Sequence, residues 1–204
     1  MRTPQIGDHD SSTRSLIRCR IHSTVHYGPV DQVQLFTRLF AAAPRPFWLD
    51  GAEFGEGQAR FSYLGDDTGP LAEFCRYDAE NGVVEVHRVG HPVERVREDI
   101  FTHLRRGLAD RTFASPALPF GFTCGYVGYK NGTDTGWLFA DRVVVIDQER
   151  HTTHVLCLAE DSPDQEAEAI GWLDATIESI ESLPAHGFHP AESTIDNAAP
   201  LRTA

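Results

Sequence analysis

His22 and His26, four residues apart, lie near the end of an alternating apolar segment, while Asp50, Tyr126 and Lys130 stand in or beside aromatic, glycine-punctuated stretches. Imidazole, carboxylate, phenol and amine are the groups that carry protons in general acid–base chemistry when a ligand lies within reach. Lys130 is the only lysine of the chain, so any reaction that needs one has a single candidate. An aspartate can receive an amine, and a tyrosine hydroxyl can hold a carboxylate or a phenolic oxygen. The histidine spacing puts both rings on one strand face if the strand runs that far. Two histidines without a third ligand make weak metal evidence, and no metal site is expected. Cys19, Cys75, Cys124 and Cys157 are widely spaced with no C-x-x-C pair. They read as small buried hydrophobes. No glycine loop has a dinucleotide or phosphate pattern and no nucleophile motif is present, so no cofactor is expected.

The elements that must position these groups follow from period and punctuation. Leu16–Val25 alternates, with Ile17, Cys19, Ile21, Ser23 and Val25 on one face, and predicts a half-buried strand. Val30–Ala43 predicts an amphipathic helix with Val33, Phe36, Leu39 and Phe40 inward, ended by Pro44 and Pro46. Phe47–Asp50 predicts a short aromatic strand, and Gly51–Gly57 a glycine-rich connection. Ala59–Leu64 and Val83–Val89 predict further strands separated by an acidic, turn-rich segment. From Pro92 to Asp110 the period is helical, with a stripe of Val93, Val96, Ile100, Phe101, Leu104 and Leu108. Leu118–Tyr129 is aromatic and glycine-rich; its rings can form apolar walls, while Gly121, Gly125 and Gly128 permit close approach. After a turn at Asn131-Gly132 come strands at Val143–Asp147 and Thr152–Ala159. Ser162, Pro163 and Gln165 then open a final helix with the stripe Ala167, Ile170, Leu173, Ile177 and Ile180. This order predicts an α+β fold with largely antiparallel sheets. Residues 1–14 and 184–204 read as mobile tails around a single domain spanning 15–183.

The 204 residues carry 30 acidic against 18 basic side chains and a formal charge of −12. Such a balance lacks the basic footprint of a nucleic-acid binder. No stretch approaches 18 apolar residues, which argues against a membrane span, and the first residues lack the apolar run of a signal peptide. A cytoplasmic location is the default expectation.

Four segments in order carry a family resemblance: Pro46-Phe-Trp-Leu-Asp50, Arg60-Phe-Ser-Tyr-Leu-Gly65, Leu118-Pro-Phe-Gly-Phe-Thr-Cys-Gly-Tyr-Val-Gly-Tyr129 and Trp137-Leu-Phe-Ala-Asp-Arg142. Together, across roughly residues 30 to 160, they resemble the N-terminal domain of aminodeoxychorismate synthase component I and, more distantly, of anthranilate synthase component I. The resemblance implies a largely antiparallel β-sandwich flanked by helices, enclosing a cavity of the kind that binds tryptophan. It places the magnesium carboxylates and catalytic lysine of chorismate conversion in a C-terminal domain beyond these segments, and Lys130 does not match that lysine motif. Carried over by position, the ligand wall comprises Phe47, Trp48, Asp50, Gly51, Phe61, Tyr63, Phe122, Tyr126 and Tyr129. Gly51 stands where the family usually has a serine, and Lys130–Asp134 replaces a longer family insert. The competing reading of each ring is simple core packing.

The expected function is a small aromatic metabolite-binding or assembly module, not competent alone for chorismate amination. Its ligand would be a small aromatic amino acid or a chorismate-derived metabolite, and its partner a second copy in a homodimer or a pathway protein. The alternative is a freestanding small enzyme of specialised metabolism that uses the tryptophan-type cavity as its active site. Its acid–base candidates are His22, His26, Asp50, Tyr126 and Lys130.

Overall fold

Alternation makes the first strand, β1 (Ile17–Tyr27), which buries Cys19 and Ile21 and leaves Arg18 and Arg20 in solvent. In the computed structural model, residues 17–50, 60–131 and 134–184 are described. The expected tails, apart from residue 184, and the connection at 51–57 lie outside them. Helix α1 (Gln32–Leu39) starts at Asp31, whose carboxylate accepts from the Val33 (2.9 Å) and Gln34 (3.0 Å) amides. Its inward residue is Leu35, not Val33, which is 62% exposed. Positions 33 and 35, two residues apart in sequence, lie about 200° apart around a helix, so both cannot face the core.

The strands β2 (Phe47–Leu49) and β3 (Phe61–Gly65) follow. The acidic segment after them is not only turn: it contains β4 (Glu73–Asp78), paired with β5 (Val83–His87). The single helix expected from Pro92 to Asp110 is likewise corrected. Glu94–Arg97 forms β6, and α2 (Ile100–Ala109) begins only after Asp99, whose side chain caps the Thr102 amide at 3.1 Å. Cross-strand pairing overrides the helical period here, with Val96 opposite Val84 and Arg95 ion-paired to Glu85 at 2.7 Å. Of the expected stripe, Ile100 and Leu104 are buried, while Val93, Phe101 and Leu108 are exposed.

A further strand, β7 (Arg111–Ala114), runs parallel to β1. Then come β8 (Gly125–Asn131), β9 (Asp134–Ala140), β10 (Arg142–Asp147), β11 (Thr152–Glu160) and α3 (Pro163–Glu181). Lys130 belongs to β8, opposite Thr135, and not to the turn after it. In α3 the Ser162 hydroxyl accepts from the Gln165 amide, and Pro163 occupies the first turn. Ala169, Leu173, Thr176 and Ile180 face inward, whereas Ala167 and Ile170 are exposed. Small Ala169 lets the helix lie close on Cys157 and Ala159 of β11.

Two sheets result, β2-β3-β10-β11-β1-β7 and β6-β5-β4-β9-β8, antiparallel throughout except for the β1–β7 pair. Their inner faces share one core that includes Ile21, Val145 and Leu156 from the first sheet and Phe74, Tyr129 and Leu138 from the second. α1 and α3 cover the outer face of the first sheet; α2 covers that of the second. This is an α+β fold of two antiparallel sheets flanked by helices, consistent with the architecture the resemblance implies. Among the described residues no helix is long and apolar enough to cross a membrane.

The chain passes from the second sheet to the first through one residue, Asp141. Its fully buried carboxylate accepts from the Leu71 amide at 2.7 Å, in the segment that leads from the first sheet to β4. A Cβ on Gly69 would stand 2.0 Å from Asp141 Oδ1, so only glycine fits there. Burial pushes the Asp141 carboxyl up to about 6 from an ordinary 3.8, against the opposing pull of the Leu71 amide and Arg142. Between those values the native state keeps a proton that the unfolded chain has lost, so stability falls as pH rises through that window. The expected loss is about 3 kcal/mol at full effect. Thermal unfolding from pH 4 to pH 6.5 should show this slope in the native sequence and not in Asp141→Asn.

Candidate functional site

The rings are brought together by strand alternation and by the segment 118–124 that leads into β8. Phe47 and Tyr129 are buried in the inter-sheet core, and Phe61, Tyr63, Phe122 and Tyr126 pack against it half-buried. Phe120 stands edge-on to Phe61 at 5.5 Å and to Tyr63 at 6.2 Å, and Phe122 edge-on to Tyr63 at 5.6 Å. Tyr129 meets Phe74 in the same way at 5.8 Å. Burial raises the Tyr63 hydroxyl above its ordinary value. Phe61, Tyr63 and Phe122 thus form a half-buried aromatic seam against the inter-sheet core.

Trp48 and Asp50 do not join this seam. Successive side chains on β2 alternate, so Phe47 turns inward while Trp48 turns outward against Phe36 of α1, at 5.5 Å. Asp50 follows the same alternation and accepts the Ser62 hydroxyl at 2.8 Å; Ser62 in turn accepts from the Gln148 amide group at 3.0 Å. His22 lies opposite Cys157, a member of the core beneath α3, so it and His26 turn to the helix-covered face. His26 Nδ1 is buried with no hydrogen-bond partner among the described residues. Gly51 and the Lys130 side chain lie outside the described residues. The described acid–base candidates therefore do not converge: Tyr126 belongs to the second sheet, and the histidines and Asp50 to the outer face of the first.

Tyr126 leads instead to a polar cluster that sequence reasoning missed. Register places Glu73, Phe139 and Tyr126 side by side across β4, β9 and β8. The Tyr126 hydroxyl donates to Glu73 Oε1. Glu73 Oε2 accepts from Arg88 Nε (3.0 Å) and Nη2 (2.8 Å) and pairs with Arg111 Nη2 at 3.4 Å. Arg111 also donates to the Gly107 carbonyl at 2.8 Å and lies over the Phe139 ring at 4.3 Å. Gly107 serves the contact: a Cβ there would stand 2.5 Å from the Tyr126 hydroxyl. Beside the cluster is a cleft of about 230 Å³, lined also by His103 and Arg106 of α2.

Burial alone would raise the Glu73 carboxyl, but Arg111, the Tyr126 hydrogen bond and Arg88 together outweigh it and hold the group below its usual range. Burial and then the Glu73 charge push the Tyr126 hydroxyl far above its ordinary value, so it remains a donor. Tyr126→Phe should cost about 2 kcal/mol of unfolding free energy, the usual worth of a hydrogen bond to a charged group, as read by urea denaturation.

Glu73, Cys75 and His103 also place one metal-type donor atom each within 4.8 Å of one another. The surroundings do not favour a cation. Two guanidiniums already hold the carboxylate, burial and the Glu73 charge push the Cys75 thiol up to about 12, and His103 Nδ1 is 2.7 Å from Glu98. The set fits a polar anchor between β4 and α2.

No family model matches the chain. It is 32% identical over 183 residues to an aminodeoxychorismate synthase of Streptomyces griseus, covering 81% of this chain and 25% of that protein. A second, from Streptomyces pristinaespiralis, is 36% identical over 140 residues, covering 61% of this chain and 20% of the relative. The chloroplastic aminodeoxychorismate synthase of Arabidopsis thaliana is 25% identical over 168 residues, covering 67% of this chain and 18% of the relative. The chain spans a quarter or less of the length of these relatives.

Proposed function

We propose that this chain, homologous to part of the aminodeoxychorismate/anthranilate synthase component I family, acts as a small aromatic metabolite-binding or assembly module of chorismate metabolism and does not carry out chorismate amination by itself. The reading is carried by one coincidence: the homology extends over most of the chain, and the rings Phe61, Tyr63 and Phe122 stand together, half-buried, against the inter-sheet core. Partly exposed rings in edge-on contact offer apolar faces to a planar ligand while their own packing keeps them rigid.

The assembly arm has its own support. Phe101 and Leu108, seven residues apart on α2, are 61% and 44% exposed, which leaves an apolar strip on the outer helix. A second copy or a pathway protein would cover it.

Titration calorimetry with tryptophan and with chorismate tests the binding arm. Saturable heat from either ligand, lost in Phe122→Ala while that variant still unfolds cooperatively, is the expected result. Absence of heat from both ligands, in protein that also stays monomeric, would overturn the reading.

A further inference from the structure

A second cavity, of about 430 Å³, lies on the far side of Phe120 from the aromatic seam. Its floor follows from register. Tyr63, Val145, His154 and Val25 stand abreast across β3, β10, β11 and β1, and Tyr63 and Val145 belong to the inter-sheet core, so His154 and Val25 share that inner face. Two residues along, Thr152 and Tyr27 form the next row. Leu118 and Pro119 supply the facing wall, and Arg150, from the turn between β10 and β11, stands at the rim.

Two side chains of the lining, His154 and Arg150, have polar groups without a partner among the described residues. His154 Nε2 is 3.4 Å from the Thr152 hydroxyl, but Nδ1 is buried without a partner. The Phe120 ring stands edge-on to His154 at 5.1 Å. Burial holds His154 below its ordinary value, so the ring is neutral at pH 7 and brings no charge to the cavity. Arg150 makes no ion pair among the described residues. The carboxylate of the Tyr27 row, Asp147, is already held by Arg60 through Nε (3.0 Å) and Nη2 (2.6 Å).

We propose that this cavity is a ligand site separate from the aromatic seam, for a small ring-bearing carboxylic acid. The ring packs between Val25, Leu118 and Pro119, and the carboxylate meets Arg150 at the rim. The volume suits a ligand of this size, and apolar walls with a few convergent polar groups are the usual make-up of such sites. The Phe120 ring stands between this cavity's His154 and the rings Phe61 and Tyr63 on which the proposed function rests.

The test is an amide-resolved NMR titration of the full chain with benzoate, and with benzamide as the uncharged isostere. Saturable shifts at Val25, Leu118, Thr152 and His154 are expected, with benzamide about tenfold weaker for want of a charge-assisted pair. Arg150→Gln, an exposed substitution, should weaken benzoate about tenfold and leave the melting temperature unchanged. Phe122→Ala should bind benzoate as the native sequence does, which separates this site from the seam. The proposal is overturned if no shifts saturate, if they centre on Tyr63 and Phe122, or if Arg150→Gln binds as tightly as the native sequence.

Discussion

Glu73→Ala should lower the unfolding free energy by about 3–5 kcal/mol, the cost of removing one partner from a buried charge cluster. The side chain is 2% exposed and holds three partner side chains: Arg88, Arg111 and Tyr126. They do not suffer equally. Arg88 is more exposed and also pairs with Glu94 at 2.9 Å, so water and that carboxylate can take it. Arg111, at 12% side-chain exposure, is left over Phe139 with, among the described residues, the Gly107 carbonyl as its one remaining acceptor. Glu73→Gln keeps a carbonyl oxygen and should lose less. Because the native Glu73 carboxyl is held below its usual range, its stabilisation is present above that range and disappears as pH falls through the native value. Urea denaturation should therefore show the deficit of Glu73→Ala at pH 7 and a narrowing gap in acid.

Phe74→Ala should cost a similar amount, about 3–5 kcal/mol, for a different reason: it opens a cavity in a close-packed core. The ring is fully buried, edge-on to Tyr129, with the Arg45 guanidinium 4.1 Å from its centroid. The neighbouring backbone cannot collapse inward easily, because Gly136 is already so close that a Cβ would meet the Cys75 carbonyl at 2.3 Å. A drop in melting temperature without loss of a cooperative transition is the expected signature, measured by calorimetry.

Sequence patterns located the elements whose own residues decide them. The β1 alternation, the Ser162–Pro163 start of α3 and the apolar runs of β10 and β11 all stand where period and capping place them. The strands β4, β6 and β7 were not legible. β6 has charges at three of its four positions, and its conformation is decided by pairing with β5, a partner no local window contains. The aromatic seam was legible as a set of rings, and the period-2 rule that gathers Phe61 and Tyr63 also sends Trp48 and Asp50 to the other face. The Glu73 cluster was not legible, because its residues come from β4, β7 and β8 and from the stretch just after β5, and no spacing rule joins them. Arg88 and Arg111 become ligands of one carboxylate only when the second sheet and β7 are in place.

Native mass spectrometry of the freshly purified chain tests the central claim most directly, since a binding or assembly module must hold something. The predicted spectrum shows a small aromatic metabolite retained on the folded chain, or a dimer or partner complex, with the small-molecule mass lost in Phe122→Ala. A bare monomer that stays bare and single after incubation with tryptophan, chorismate and aromatic acids would contradict it.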